Sequence, residues 1–136
     1  MSTPARDARF RLSARAEREH LDELEHVNNA VYLRWVQDAA VAHWRAIAPA
    51  DSQSSTLWVV VRHEIDYKLA AVEGDEVVIE TWVGTATRIT FERHTEIRRA
   101  SDNALLVKAR TLWCPIDPQT RRPKRVDQCV RALFSL

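Results

Sequence analysis

The sequence predicts an α+β fold in which an antiparallel sheet of about five strands wraps one long central helix. Three observations predict it. Period-two alternation of apolar and polar residues appears once near the start and then in a series of runs after residue 56. Between them, residues 30–48 contain no glycine or proline and are rich in Ala, Leu, Val and Trp. Strand and helix patterns never alternate, and no glycine-rich turn follows a strand, which argues against a doubly wound parallel sheet.

The elements follow in order. Ala8, Phe10, Leu12, Ala14 and Ala16 alternate with Arg9, Arg11, Ser13 and Arg15, so 8–16 reads as a strand with one buried face. The Arg-rich residues 1–18 lack the apolar core of a secretory signal; the simpler reading is this first strand, with an organelle transit peptide left open. A polar stretch, 17–26, precedes Asn28 and Asn29, either of which can cap a helix. In the helix over 30–48, Val31, Tyr32, Leu33, Trp35, Val36, Ala39, Ala40, Val41, Trp44 and Ile47 circle much of the circumference. Such a helix is expected to be enclosed by other structure. Pro49 stops it, and 51–55 reads as a polar linker.

Leu57, Val59, Val61, His63, Ile65, Tyr67 and Leu69 then alternate with Trp58, Val60, Arg62, Glu64, Asp66 and Lys68, giving a strand over 57–69. Gly74-Asp75 marks a turn before a Val-, Ile-, Thr- and Trp-rich strand over 76–86. In 88–99, Ile89, Phe91, Arg93, Thr95 and Ile97 alternate with charged residues. Asp102-Asn103 marks the next turn, and 104–116 forms the last strand, ended by Pro115 and Pro118.

Residues 1–136 read as one domain, long enough to bury a core without a disulfide or metal. A net charge of +1 gives no basic footprint for nucleic acid. No apolar stretch approaches the ~20 residues of a membrane helix. Cys114 and Cys129 belong to no C-x-x-C motif and read as reduced thiols of a cytoplasmic protein.

The stretch 21–35 carries the chemistry. Asp22 and His26 stand four residues apart, just before a helix start. Free N–H groups at a helix start can polarise a carbonyl and stabilise an oxyanion. A carboxylate beside them can act as nucleophile or as general base for water. The competing readings are plainer. Asp22 can be a local cap, His26 a group that fixes the loop, and Glu25 a solvated charge suited to the helix dipole. His63 reads as a core or interface histidine, and Glu64 and Asp66 as a wet strand face. Ser52, Ser54 and Ser55 lie outside any G-x-S-x-G context, and Cys114 before Pro115 reads as structural. His20, Asp22 and His26 fit no zinc spacing, so no metal is expected.

Asp22 to Tyr32 resembles the D-x-x-G-H-V-N-N-x-x-Y signature of hotdog-fold acyl-CoA thioesterases of the 4-hydroxybenzoyl-CoA thioesterase type. It is also similar to the D-x-N-x-H-V-N-N segment of plant acyl-ACP thioesterases. Arg62 to Tyr67 resembles that family's R-x-x-I-D-Y, Gly74 to Val77 its G-D-x-V turn, and Thr120 to Pro123 its T-G-R-P segment. The resemblance implies a hotdog fold that hydrolyses an acyl-CoA to free acid and CoA, with no cofactor beyond the CoA of the substrate. It puts Asp22 on the catalytic aspartate, the Asn29 backbone N–H where the thioester carbonyl is polarised, and His26 on the histidine used by the plant-type enzymes. It also implies a homodimer or tetramer with the active site between subunits.

Three positions depart from the pattern. Glu25 stands where many members have Gly and puts a second carboxylate near the site; Leu24 replaces a functional Asn; Gln37 replaces a helix carboxylate. In the basic cluster 121–125, Arg122, Lys124 and Arg125 are candidates for the CoA phosphates, the plainer reading being a solvated loop. Arg88 and Arg93 are equal contenders. Trp35, Trp44, Trp58 and Tyr67 suit either an aromatic-acyl pocket or core. Two alternatives stay open: a hotdog enoyl-CoA hydratase, whose D-x-N-x-x-H spacing is one residue longer, and a non-catalytic module that binds acyl-CoA or a partner.

Overall fold

The structure, a computed structural model, describes residues 9–134. Its elements are β1 (Phe10–Arg15), a 3-10 turn (Arg18–His20), α1 (Asn29–Ile47), α2 (Ala50–Ser55), β2 (Leu57–Tyr67), β3 (Glu76–Ala86), β4 (Phe91–Arg99), β5 (Leu105–Ile116) and α3 (Gln128–Leu133). The strands form one antiparallel sheet in the order β1-β3-β4-β5-β2. The expected architecture, five antiparallel strands and one long helix, is the one the chain adopts.

Asn28 resolves the capping question. Its side chain accepts the Ala30 N–H, which makes Asn29 the first helical residue. Tyr32, Trp35, Val36 and Ala39 line the buried face of α1 and share one core with Val77, Ile79, Ile97, Leu106, Val107 and Ala109 of the sheet. Each large side chain so enclosed contributes roughly 1.5–3 kcal/mol. The expectation of an enclosed helix holds for this face only. Arg34, Asp38, Val41 and Arg45 are exposed, because the sheet covers one side of α1. A smaller cluster of Phe91, Val126 and Val130 gathers Trp44, Trp58, Trp113 and Phe134 around the far end of the helix.

Four expectations are corrected. The strand over 57–69 ends at Tyr67, and its alternation breaks at a bulge between Val60 and Arg62. Before the bulge Trp58 and Val60 turn inward, leaving Leu57, Val59 and Val61 exposed; after it His63 and Ile65 turn inward. Residues 51–55 belong to a short helix, because Pro49 ends α1 and serves as the cap residue of α2. The strand over 88–99 begins at Phe91, since Thr87 and Thr90 bond each other in a turn. The first strand spans Phe10–Arg15, and Ala8 lies outside the described residues. Helix α3, capped by the Asp127 side chain, was not anticipated. No helix among the described residues is long and apolar enough to cross a membrane.

Candidate active site

The segment before α1 is a closed loop built on Asp22. Its backbone N–H donates to the His26 carbonyl at 2.8 Å, and its Oδ1 accepts the N–H groups of Leu24 (2.9 Å) and His26 (3.2 Å). The closure needs a left-handed residue, and Glu25 supplies it at φ 60. The loop is pinned to the chain after β2: Val27 N–H donates to the Ala71 carbonyl, and His26 forms a bridge with Val72. These bonds hold Asp22 beside the start of α1.

A cleft of about 200 Å³ opens there, lined by Asp22, His26, Asn29, Tyr32, Tyr67 and Lys68, among others. The three residues singled out for catalysis therefore share one space. Asp22 Oδ1 is taken by the loop, whereas Oδ2 has no hydrogen-bond partner among the described residues. The Asn29 N–H, at the positive end of the helix, likewise has no acceptor among them. The Asn29 carbonyl accepts from Tyr67 Oη at 3.5 Å. Tyr32 is buried and its hydroxyl accepts the Ala71 N–H at 2.8 Å; burial pushes its phenol above the usual range. It buttresses the cleft wall as a neutral group. A carboxylate with a free oxygen, lining the same solvent-open cleft as a residue with an unfilled helix N–H, can deliver a proton-abstracting or nucleophilic oxygen to a polarised carbonyl.

The basic residues lie elsewhere in the chain. Lys124 Nζ donates to the Ser55 carbonyl (3.0 Å) and Thr56 Oγ1 (3.2 Å), at the start of β2, and Arg122 and Arg125 are exposed nearby in sequence. The cleft adjoins the end of β2, so within one protomer roughly 30 Å separates the two places. Arg93 is corrected as a phosphate contender: it is buried at 6% exposure and cannot reach a surface phosphate. Glu25 is exposed and is not among the residues that line the cleft, so the second carboxylate expected near the site is not part of its wall. His63 Nδ1 bonds Thr111 Oγ1 at 3.0 Å, but the residue is only half-buried and its Nε2 has no partner among the described residues, so it is not the satisfied core histidine expected; Glu64 pairs with Arg62 at 2.6 Å, as a wet strand face should. Lys68, Leu69 and Ala70 line the cleft without having been anticipated as site residues. The R-x-x-I-D-Y likeness ending at Tyr67 was the signal that pointed to them.

Residues 17–134 match the acyl-ACP thioesterase N-terminal domain family. A palmitoyl-acyl carrier protein thioesterase of Gossypium hirsutum is 23% identical over 71% of this chain, and the chain spans 25% of that relative's length. A 1,4-dihydroxy-2-naphthoyl-CoA thioesterase from Synechocystis superposes with TM-score 0.80 at 18% identity, covering 94% of this chain and 96% of its own. A thioesterase from Thermus thermophilus, solved in complex with coenzyme A and zinc, also reaches 0.80 at 23% identity, covering 91% and 90% of the two chains. At these identities the structural likeness establishes a common fold.

Proposed function

The chain belongs to the acyl-ACP thioesterase N-terminal domain family, and from that premise we propose that it hydrolyses an acyl-CoA thioester to free acid and CoA. The observation that carries the reading is the free Oδ2 of Asp22 sharing a cleft with the unfilled Asn29 N–H. The thioester carbonyl oxygen points at that N–H, which stabilises the oxyanion as it forms. Asp22 takes a proton from water, whose oxygen attacks the carbonyl carbon. Collapse of the tetrahedral intermediate breaks the C–S bond, and the departing thiolate takes up the proton. In the variant route Asp22 itself attacks and expels the thiolate as the C–S bond breaks; water then opens the resulting anhydride, and its proton passes to the thiolate. His26, on the same cleft, orients the water or shares its proton.

CoA is the proposed carrier because the structurally similar proteins include a CoA-thioester hydrolase and a thioesterase holding CoA. A free acyl-CoA substrate and two unpaired cysteines suit a cytoplasmic protein. We further propose a homodimer, paired through the exposed edge of β2, or a tetramer of two such dimers. Antiparallel pairing of β2 with its copy lays the start of one strand beside the end of the other. Arg122, Lys124 and Arg125 of one protomer then approach the other protomer's cleft, where the CoA phosphates emerge.

The test is Asp22→Asn. Asn keeps an oxygen for the Leu24 and His26 amides, so the loop survives while the base is lost. Thiol release from acyl-CoA should fall by about 10³-fold with the oligomer and melting temperature unchanged. Undiminished turnover would remove Asp22 from the mechanism.

A further inference from the structure

At the far end of α1 lies a second cavity, of about 60 Å³, among Trp44, Trp58, Phe91, Arg93, Trp113 and Phe134. Asn29 and Trp44 are fifteen residues apart on one helix, so roughly 22 Å separates it from the Asp22 cleft of the same protomer. Its walls are aromatic: Trp44 meets Trp58 edge-on at 5.4 Å, Trp58 meets Phe91 at 5.5 Å, and Phe91 meets Phe134 at 5.2 Å.

The polar groups in those walls are all donors. Arg93 is buried, yet no carboxylate among the described residues pairs with it. Its two hydrogen bonds both leave from Nη1, to His43 Nδ1 at 2.9 Å and Thr81 Oγ1 at 3.1 Å, while Nε and Nη2 make none. The indole N–H groups of Trp58 and Trp113 are enclosed without an acceptor among the described residues. An enclosed donor left unmet costs about 1–3 kcal/mol, and a buried charge without a counter-ion more. Among the described residues the arrangement thus lacks one thing, an anionic acceptor attached to an apolar body.

We propose that this cavity binds the carboxylate of a compact apolar acid, held by Arg93 and the Trp58 and Trp113 indoles. At ~15 Å³ for each group the size of a water molecule, the space holds about four such groups, enough for a carboxylate and a short apolar segment. A longer body leaves past Val41, which lines the cavity and is 39% exposed. A guanidinium meets a carboxylate with paired N–H donors, so geometry and charge agree. Two sources share this chemistry: a free acid, or the distal carboxylate of a dicarboxylic acyl thioester whose carbonyl lies in the cleft of the second protomer of the proposed dimer, since so short a chain cannot span the distance within one protomer. Only the second rests on the hydrolase reading above.

Titrating tryptophan fluorescence with benzoate against benzyl alcohol, and isovalerate against isoamyl alcohol, tests the site without any turnover. The intact chain should bind each acid at least tenfold more tightly than its alcohol. Arg93→Met should erase that preference, and Trp58→Phe, which keeps a ring but loses the N–H, should weaken acid binding several-fold. Equal affinity for acid and alcohol in the unaltered chain overturns the proposal, as does an acid preference undiminished in both variants. Should Arg93→Met not fold, a Trp58→Phe, Trp113→Phe double variant decides the matter by the same criterion. Glutaryl-CoA and butyryl-CoA then separate the sources. A preference for glutaryl-CoA that Arg93→Met abolishes assigns the distal carboxylate; acid binding without that preference assigns the free acid. Absence of hydrolysis of every thioester would sink the hydrolase reading and leave the fluorescence result standing.

Discussion

In the proposed mechanism Asp22 performs two jobs with two oxygens. Oδ1 closes the loop before α1, the role an aspartate commonly plays beside a helix, and Oδ2 is left for the cleft. The local-cap reading and the catalytic reading are therefore compatible at this residue. The same loop explains a departure from the signature. Glu25 sits at φ 60 and Arg121 at φ 62, and each stands where the resembling D-x-x-G-H and T-G-R-P patterns have glycine. The backbone demand persists although the residue that meets it cheaply is gone. A left-handed non-glycine residue costs roughly 1 kcal/mol. Glu25→Gly and Arg121→Gly should each raise unfolding free energy by about 0.5–1 kcal/mol in urea titrations. A lowered midpoint in both would show that side-chain contacts outweigh the strain. Asp22, His26 and Asn29 stood out in the sequence through their types, their spacing and the family resemblance, and the structure gathers the three on one cleft. The sequence did not disclose the conformation of Glu25, since a glutamate carries no mark of positive φ once the glycine has been replaced.

At the scale of elements, the packing of α1 on the sheet carries a pH dependence. His43 of α1 stacks on Phe10 at 4.9 Å, meets Phe134 at 5.3 Å, and accepts from Arg93 of β4. Burial first, and the neighbouring guanidinium second, push its pKa from 6.5 down to about 4. The fold therefore resists protonation here, whereas the unfolded chain takes the proton near 6.5. The stabilisation is complete above pH 6.5 and is lost as pH falls towards about 4. It amounts to at most about 3 kcal/mol, reduced by whatever solvent reaches the ring. Urea midpoints measured across that window should fall with acidity, and His43→Gln, which retains an acceptor for Arg93, should flatten the fall. An unchanged slope in that variant would assign the acid sensitivity to other groups. Legibility varied between elements for definite reasons. The long α1 was clear because Pro49 and the asparagine pair bracket an unbroken run of helix formers. The face of β2 was misread because Trp58 and Val60 are as apolar as Leu57, Val59 and Val61, and a bulge shifts inside to outside by one residue. Helix α2, made of serine, aspartate and glutamine after one alanine, has little propensity to announce it.

For the molecule as a whole, the sheet order leaves β2 at an edge, with 11 residues of backbone open on one side. A long edge strand is a template for pairing, and this one carries no proline or bend to blunt it beyond the bulge at its middle. Leu57, Val59 and Val61 are exposed at 39%, 44% and 57%, an apolar row that water disfavours. The proposed pairing with a second copy would complete the ladder and set the two apolar rows side by side. It would also join what one protomer keeps apart, the basic segment at the start of β2 and the cleft at its end. Val59→Glu places a charge in that row without touching the core beneath. It should turn the assembly into monomers in sedimentation, and kcat/KM for acyl-CoA should drop at least tenfold while the circular dichroism spectrum stays that of the folded chain. An assembly of unaltered mass, or a monomer with full activity, would show that the cleft works without a partner and that Arg122 and Arg125 belong to some other role.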